Sequence, residues 1–418
     1  MSEIIINGGK RLSGRVSVQG AKNSVLPVLA GTVLCGGESV VHNCPMLSDV
    51  ETSLKILEHL GCKCRREGGA VIVDSSGISE CDIPDSLMRE MRSSVVFLGA
   101  VIGRMGRAVI SSPGGCELGP RPIDLHLSAL ERMGVTITEE HGYLKCTAEN
   151  GLHGAEIHLG FPSVGATENI ILAAAVAAGV TVIHNAAKEP EISDLADFLN
   201  SAGARISGCG SDTVRIEGVK RLGGTEHTII PDRIVAATYM ACAAVTGGEI
   251  ELENVMPPHM VSLLWSFREC GCDISVSGKG LRLSAPERLH RIPTLRSLVY
   301  PGFPTDAGPV AVAMLASAEG TSVFVENIFE NRYRYIDELN RFGTKIKTEG
   351  KTAVIEGVGE LSGAHAKATD LRGGAALVVA ALKAHGASEI GNTHHIERGY
   401  EKITERLSSL GADISYKR

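Results

Sequence analysis

The sequence predicts an α/β protein of two domains, each made of three repeated units with buried central helices and outer sheets. Three observations carry this. One phrase occurs six times along the 418 residues: LEHLGCKC at 57, LERMGVTI at 130, LNSAGARI at 199, FRECGCDI at 267, LNRFGTKI at 339 and LSSLGADI at 407. Its glycines, at 61, 134, 203, 271, 343 and 411, stand 68 to 73 residues apart, a period that marks structural repeats. Upstream in every unit runs a stretch almost free of charge and rich in Ala and Val, at 24–35, 93–103, 166–178, 234–246, 308–318 and 373–382.

Each element follows from local chemistry. The repeated phrase reads as a helix end, a left-handed glycine cap and a strand. The helix in front of it is amphipathic, as in DVETSLKILEHL at 49–60, so it buries one face only. The charge-poor helices are apolar on all sides and have to be buried. Strand-like stretches such as TVIHN at 181–185 and SVFVEN at 322–327 separate the two helix types. A unit therefore runs strand, buried helix, strand, surface helix, then one or two strands. Six such units exceed one barrel or doubly wound sheet, and two domains of three accommodate them. Three buried helices at the centre of each domain point their N-termini to a common end, which carries partial positive charge and free amides.

Composition narrows the function. A net charge of −7 gives no global basic field for nucleic acid or an anionic membrane. Aromatic residues make up only 4%, so stacking platforms for bases are scarce. The apolar run ILAAAVAAGVTVI at 171–183 is too short to span a bilayer. The N-terminus lacks the basic and apolar regions of an export signal, and a cytoplasmic protein is expected. Eleven cysteines without a Cys-x-x-Cys pair read as reduced thiols packed in the core, with no metal site expected.

The loops before the buried helices hold the chemistry. They are Gly20-Ala21-Lys22-Asn23, Met91-Arg92-Ser93, Ser163-Val164-Gly165-Ala166-Thr167, Pro231-Asp232-Arg233, Pro304-Thr305-Asp306 and Thr369-Asp370-Leu371-Arg372. Four of these six carry a cation. The loops before the surface helices add Arg121, Arg332 and Arg398. If the repeats bring these loops together, an acidic protein gains a basic cleft between its domains. Such a cleft suits ligands with several anionic groups, since arginine forks bind carboxylate and phosphate and helix N-termini add fixed dipoles. The competing reading makes Asp and Ser helix caps and the arginines solvated surface charges. Asp306 could accept backbone N–H bonds as a cap, or take a proton from a substrate hydroxyl. Asp232 and Asp370 occupy the equivalent slot. In SSPGGCELGPRP at 111–122, glycines and prolines exclude helix and strand. Cys116 is expected there as an exposed thiol beside Arg121, which favours the reactive thiolate.

These motifs give the chain a close resemblance to the UDP-N-acetylglucosamine enolpyruvyl transferases (UDP-N-acetylglucosamine 1-carboxyvinyltransferases). QGAKNSVLP at 19–27, MRSS at 91–94, PGGCELGPRPIDLH at 113–126, PSVGATENI at 162–170, EPEI at 189–192, PDRI at 231–234, FPTD at 303–306, FENR at 329–332, TDLR at 369–372 and ERGYE at 397–401 stand in the family's order. The resemblance implies the enolpyruvyl transferase fold, two inside-out α/β barrel domains, with one domain at 22–229 and the other formed by 1–21 plus 230–418. It implies transfer of the enolpyruvyl group of phosphoenolpyruvate to the 3-hydroxyl of UDP-N-acetylglucosamine, with release of phosphate, in the first committed step of peptidoglycan synthesis. The partners are then these two small molecules, with no cofactor, no metal, no nucleic acid and no membrane insertion, and a monomer is expected.

Matching motifs carry over the residue roles. Lys22, Arg121 and Arg398 resemble the residues that grip phosphoenolpyruvate, with Asn23, Arg92 and Arg372 near them. Cys116 resembles the general acid, alkylated in the family by fosfomycin, and Asp306 resembles the group that takes the sugar hydroxyl proton. Asn23, Arg92, Arg121, Pro122, Ile123, Asp124, Leu125, Ser163, Val164, Gly165, Asp306 and Ile328 resemble the nucleotide-sugar contacts. Two departures stand out: Phe161 replaces a lysine of some members, and Ala307-Gly308-Pro309 follows Asp306 where Met-Gln is common.

Overall fold

A computed structural model describes residues 3–111, 123–278 and 280–417, and of Arg92 the backbone only. The chain divides into two compact units. The terminal unit takes residues 3–19 and those from 231 onward, and the middle unit takes the described residues from 20 to 230.

Among the described residues each unit has three four-stranded sheets of one design. An edge strand runs parallel to the second strand, which pairs antiparallel with the third, and the third with the fourth. In the middle unit, Glu226–Thr228 lies parallel to Glu38–His42, which pairs antiparallel with Ala70–Asp74, and that with Lys63–Glu67. In the terminal unit the same order runs through Thr294–Arg296, Thr321–Val325, Thr352–Glu356 and Lys345–Glu349. Glu3–Asn7, from the start of the chain, pairs antiparallel with Ala387–Gly391 and Asp413–Lys417 near its end. Alternate strand residues are buried, as Ser322 and Phe324 are in Thr321–Val325, so each sheet turns one face inward.

The charge-poor stretches are the buried helices. Lys22–Gly31, Phe97–Met105 and Val164–Ala174 belong to the middle unit, and Arg233–Val245, Gly308–Leu315 and Leu371–Lys383 to the terminal unit. Every residue of Arg233–Val245 and Gly308–Leu315 is buried, and the three terminal-unit helices pack on one another. Several boundaries differ from expectation, by up to four residues. The stretch from 93 opens as a 3-10 turn, Arg92–Val96, before Phe97–Met105. The helix expected to reach 178 stops at Ala174, because Ala178 is drawn into a bridge with His153.

All six repeat glycines are left-handed, with φ between +85° and +108°. In five of them the residue after the glycine reaches back to a carbonyl in the preceding turn, as Cys62 N does to Leu57 O at 2.9 Å and Ala412 N to Leu407 O at 3.0 Å. This closes the helix in a Schellman motif. No helix of the described residues is long and apolar enough to cross a membrane.

Candidate active site

The terminal unit holds a carboxylate between two buried guanidinium groups. Asp306 lies in the one-turn helix Thr305–Ala307. Its Oδ1 meets Arg332 Nη2 at 2.9 Å and its Oδ2 meets Arg372 Nη2 at 3.0 Å. The arginine side chains are 3% and 4% exposed while that of Asp306 is 27% exposed, so the carboxylate is the part of this cluster that solvent or a ligand reaches. Arg332 also donates to Thr305 O at 3.3 Å. Arg372 lies over the Tyr400 ring and donates to its Oη at 3.4 Å, and that oxygen shares a 2.9 Å hydrogen bond with Thr238 Oγ1. Burial by itself opposes the charge on Arg372, but Asp306, Tyr400 and Asp232 outweigh it and hold its pKa above the ordinary value.

Geometry separates the three equivalent aspartates. Asp232 Oδ1 accepts from Ile234 N and Val235 N at 2.9 and 3.0 Å. Asp370 Oδ1 accepts from Arg372 N and Gly373 N at 2.9 and 3.0 Å. These two are caps. The helix Gly308–Leu315 starts instead from Ala307 without a side-chain cap, and Asp306 is turned to its two arginines. The Gly308-Pro309 departure fits this start: proline takes the first turn, and a Cβ on Gly308 would come within 2.8 Å of the Phe324 ring.

Arg398 follows the short helix His394–Glu397 and is half-buried. Buried Gln19 fixes the segment beyond it, donating to Gly399 O at 3.2 Å and accepting from Glu401 N at 2.8 Å. Its own carbonyl accepts from Asp232 N at 2.9 Å. One residue of QGAKN thus ties the ERGYE and PDRI motifs together. Ile328 N donates to Glu326 Oε1 at 2.8 Å.

The middle unit is organised differently. Lys22 opens the helix Lys22–Gly31 and pairs through Nζ with Asp49 Oδ2 at 2.6 Å, with the two side chains 10% and 2% exposed. Gly20 is required just before it, because a Cβ there would sit 1.9 Å from Asn43 O. Asn23 is exposed. Ser163 caps Val164–Ala174 by accepting from Ala166 N at 3.3 Å. Val164 and Gly165 form the first turn, where a Cβ on Gly165 would lie 3.0 Å from the His126 ring.

Buried Asn169 joins its own motif and the one ending at His126 to the segment that follows MRSS. Its Oδ1 accepts from Gly99 N at 2.6 Å, and its Nδ2 donates to Val95 O at 3.1 Å, with Gly165 O at a longer 3.4 Å. These backbone partners fix the amide's orientation, so Nδ2 also donates to His126 Nδ1 at 2.9 Å. That nitrogen is therefore unprotonated. Burial pushes the His126 imidazole down to about 4, against a smaller upward pull from Asp124. Ile123, Asp124 and Leu125 lead into this histidine at the start of Asp124–Arg132. Glu168 is buried, and burial, then Glu191 and Glu189, push its carboxyl well above its ordinary range.

Cys116, Arg121 and Pro122 lie outside the described residues, as does the side chain of Arg92. Sequence reasoning missed Gln19, Asp49, His126, Asn169, Glu326 and Tyr400, and left Arg332 as a loop cation. One signal was available. Asn43, Asn185, Asn254 and Asn392 end equivalent strands with φ between +54° and +57°. Each Nδ2 donates to a carbonyl of the segment before a buried helix: Ile229 O, Leu159 O, Val18 O and Ala368 O.

The sequence matches the EPSP synthase (3-phosphoshikimate 1-carboxyvinyltransferase) family over residues 6–407. The chain belongs to the EPSP synthase family. Within reach of that match, it is 52% identical over 414 residues to UDP-N-acetylglucosamine 1-carboxyvinyltransferase 2 of Caldanaerobacter subterraneus subsp. tengcongensis, covering 99% of both chains. It is 47% identical to UDP-N-acetylglucosamine 1-carboxyvinyltransferase 1 of Symbiobacterium thermophilum, covering 98% of this chain and 94% of that one. The enolpyruvyl transferase NikO from Streptomyces tendae shares the fold at a TM-score of 0.89 and 24% identity, covering 100% of this chain and 99% of the other. EPSP synthase from Acinetobacter baumannii does so at 0.78 and 20%, with both chains fully covered. The expected enolpyruvyl transferase fold is the one found, with buried helices and outer sheets in both units.

Proposed function

We propose that this chain transfers the enolpyruvyl group of phosphoenolpyruvate to the 3-hydroxyl of UDP-N-acetylglucosamine and releases phosphate, the first committed step of peptidoglycan synthesis. The full-length likeness to the two carboxyvinyltransferases supports this substrate pair. The observation that carries the mechanism is Asp306, a partly exposed carboxylate fixed on both oxygens by buried arginines. The sugar hydroxyl adds to the central carbon of phosphoenolpyruvate as its methylene carbon gains a proton. Phosphate then leaves while the new methyl group gives a proton back, which restores the double bond. Asp306 takes the hydroxyl proton, and its rigid seat supplies the hydrogen-bond reach that proton transfer requires.

The addition step develops positive charge beside the substrate carboxylate, so anionic groups must be balanced without quenching it. Lys22, Arg121 and Arg398, with Asn23, Arg92 and Arg372, hold phosphoenolpyruvate. Residues 121–125 and 163–165 with Asn23, Arg92, Asp306 and Ile328 hold the nucleotide sugar. Cys116 supplies the proton to the methylene carbon, and fosfomycin inactivates the enzyme by alkylating it. Each step is acid–base chemistry and calls for no cofactor. The enzyme works in the cytoplasm as a monomer.

The test is phosphate release from phosphoenolpyruvate with UDP-N-acetylglucosamine, with shikimate 3-phosphate, and with no acceptor. Release with the nucleotide sugar alone is expected. Release with shikimate 3-phosphate instead would overturn the substrate, and release with neither would point to a binding protein without turnover.

A further inference from the structure

Glu326 directly follows the strand Thr321–Val325, is 1% exposed, and makes no ion pair among the described residues. Hydrogen bonds hold its carboxyl group instead. Oε1 accepts from Ser297 Oγ at 2.8 Å, Ile328 N at 2.8 Å and Phe329 N at 3.2 Å, and Oε2 accepts from Thr305 Oγ1 at 2.8 Å. An ionised carboxylate is an acceptor-only group that can take four donors at once. Ser297 extends the frame, since its Oγ accepts from Asn327 N at 2.8 Å and its carbonyl accepts from Asn327 Nδ2 at 3.0 Å. The Oε2 arm holds Thr305, next in the chain to Asp306, and the carbonyl of Thr305 accepts from the arginine that grips Asp306. The Oε1 arm shapes the turn through Ile328.

We propose that Glu326 is a positioning residue, whose one buried carboxylate sets both the proton acceptor Asp306 and the Ile328 turn that contacts the nucleotide sugar. The inference rests on the function proposed above. Its logic is that sugar binding and proton removal need a common frame: a hydroxyl fixed through one segment must meet a base fixed through another within hydrogen-bond reach, and small misplacements there are costly in rate.

The two arms can be cut separately. Thr305→Val keeps shape and loses the donor to Oε2; kcat is expected to fall about tenfold while KM for UDP-N-acetylglucosamine stays within about twofold. Ser297→Ala loosens the other arm; KM for UDP-N-acetylglucosamine is expected to rise about fivefold with kcat nearly unchanged. Glu326→Ala should show both defects and leave KM for phosphoenolpyruvate unaltered. Glu326→Gln keeps an oxygen for the two backbone N–H groups and should restore the nucleotide-sugar KM. Kinetics like wild type in all four variants, or losses falling equally on both substrates together with a lowered Tm, overturn the proposal. Crystal structures of Thr305→Val and Glu326→Ala test it without substrate: Asp306 displaced from its arginines is expected in both, and an unmoved Asp306 overturns it. Failure of wild-type protein to use UDP-N-acetylglucosamine would strike the proposed function, while the crystallographic result would still decide the positioning.

Discussion

His126 and Glu168 of the middle unit are buried titratable groups for which burial favours the neutral form. In the terminal unit, Arg332 and Arg372 are each in contact with a counter-charge on Asp306. The units repeat one backbone plan, yet these two clusters stabilise buried polar residues in opposite ways. A neutral hub such as Asn169 with His126 fixes loop geometry and adds no field. A paired cluster such as Asp306 with its arginines fixes geometry and also presents charge to a ligand. The Lys22–Asp49 pair is an exception in the middle unit, and it falls on the residue assigned to the anionic substrate.

If the terminal cluster is the chemical one, Asp306→Asn should give the largest loss. It keeps the volume and removes the proton acceptor, and phosphate release with UDP-N-acetylglucosamine is expected to fall about 10²–10⁴-fold. Circular dichroism should show an intact fold. Activity within threefold of wild type would remove Asp306 from the reaction and dissolve the contrast. Asp49→Asn sharpens the same contrast from the other side. It removes the counter-charge in contact with a buried ammonium group, and about 3–5 kcal/mol of stability should be lost, measured by urea unfolding. An unchanged unfolding midpoint would mean that Lys22 does not depend on Asp49.

The neutral hub predicts pH slopes of opposite sign. His126 has a folded pKa near 4, below its ordinary 6.5, so the unfolded chain takes up this proton first as pH falls. Its contribution is complete above 6.5 and drains away toward 4, by roughly 3 kcal/mol. Glu168 has its folded pKa raised above an ordinary 4.5. Its contribution is complete below 4.5 and is lost as pH rises from there toward the folded value. His126→Gln should flatten the acid side of the stability curve, and Glu168→Gln the side above pH 4.5. Parallel curves for all three proteins would show that neither group titrates on unfolding.

How much of this could be read in the sequence depended on range. The left-handed glycines were legible because only a residue without Cβ sits easily at those φ values, and a six-fold phrase makes the position plain. The buried helices were legible because a helix without charge has no solvent face. Asp306 was not separable from Asp232 and Asp370, since all three stand at helix entrances. What distinguishes it is Arg332 and Arg372, 26 and 66 residues further on, and no local pattern records such a pairing. Asp49 and Glu326 were missed because a carboxylate on an amphipathic helix or at a strand end reads as a surface charge. The asparagine turns were missed although the residue stood in TVIHN and was visible there. A polar residue recurring at one slot of a repeat is a backbone signal of the same kind as the glycine.

The smallest expected effect tests whether the units share their backbone plan while differing in site chemistry. Gly203 of the middle unit and Gly343 of the terminal unit are left-handed, at φ +108° and +85°, and a Cβ on either would meet nothing within 4 Å. Alanine at each position therefore costs backbone strain alone, about 1–2 kcal/mol, and the two variants should match within experimental error. Gly61 has the same conformation, but a Cβ there would come within 2.7 Å of Gly77 O. Gly61→Ala adds a clash with backbone, which cannot swing away, and should be measurably worse than the other two. Ala204 N reaches back to Leu199 O at 2.9 Å, whereas the cap at Gly343 is the one of the six without that bond, so unequal costs for Gly203→Ala and Gly343→Ala would mean that this bond, and not φ alone, sets the cost of the cap.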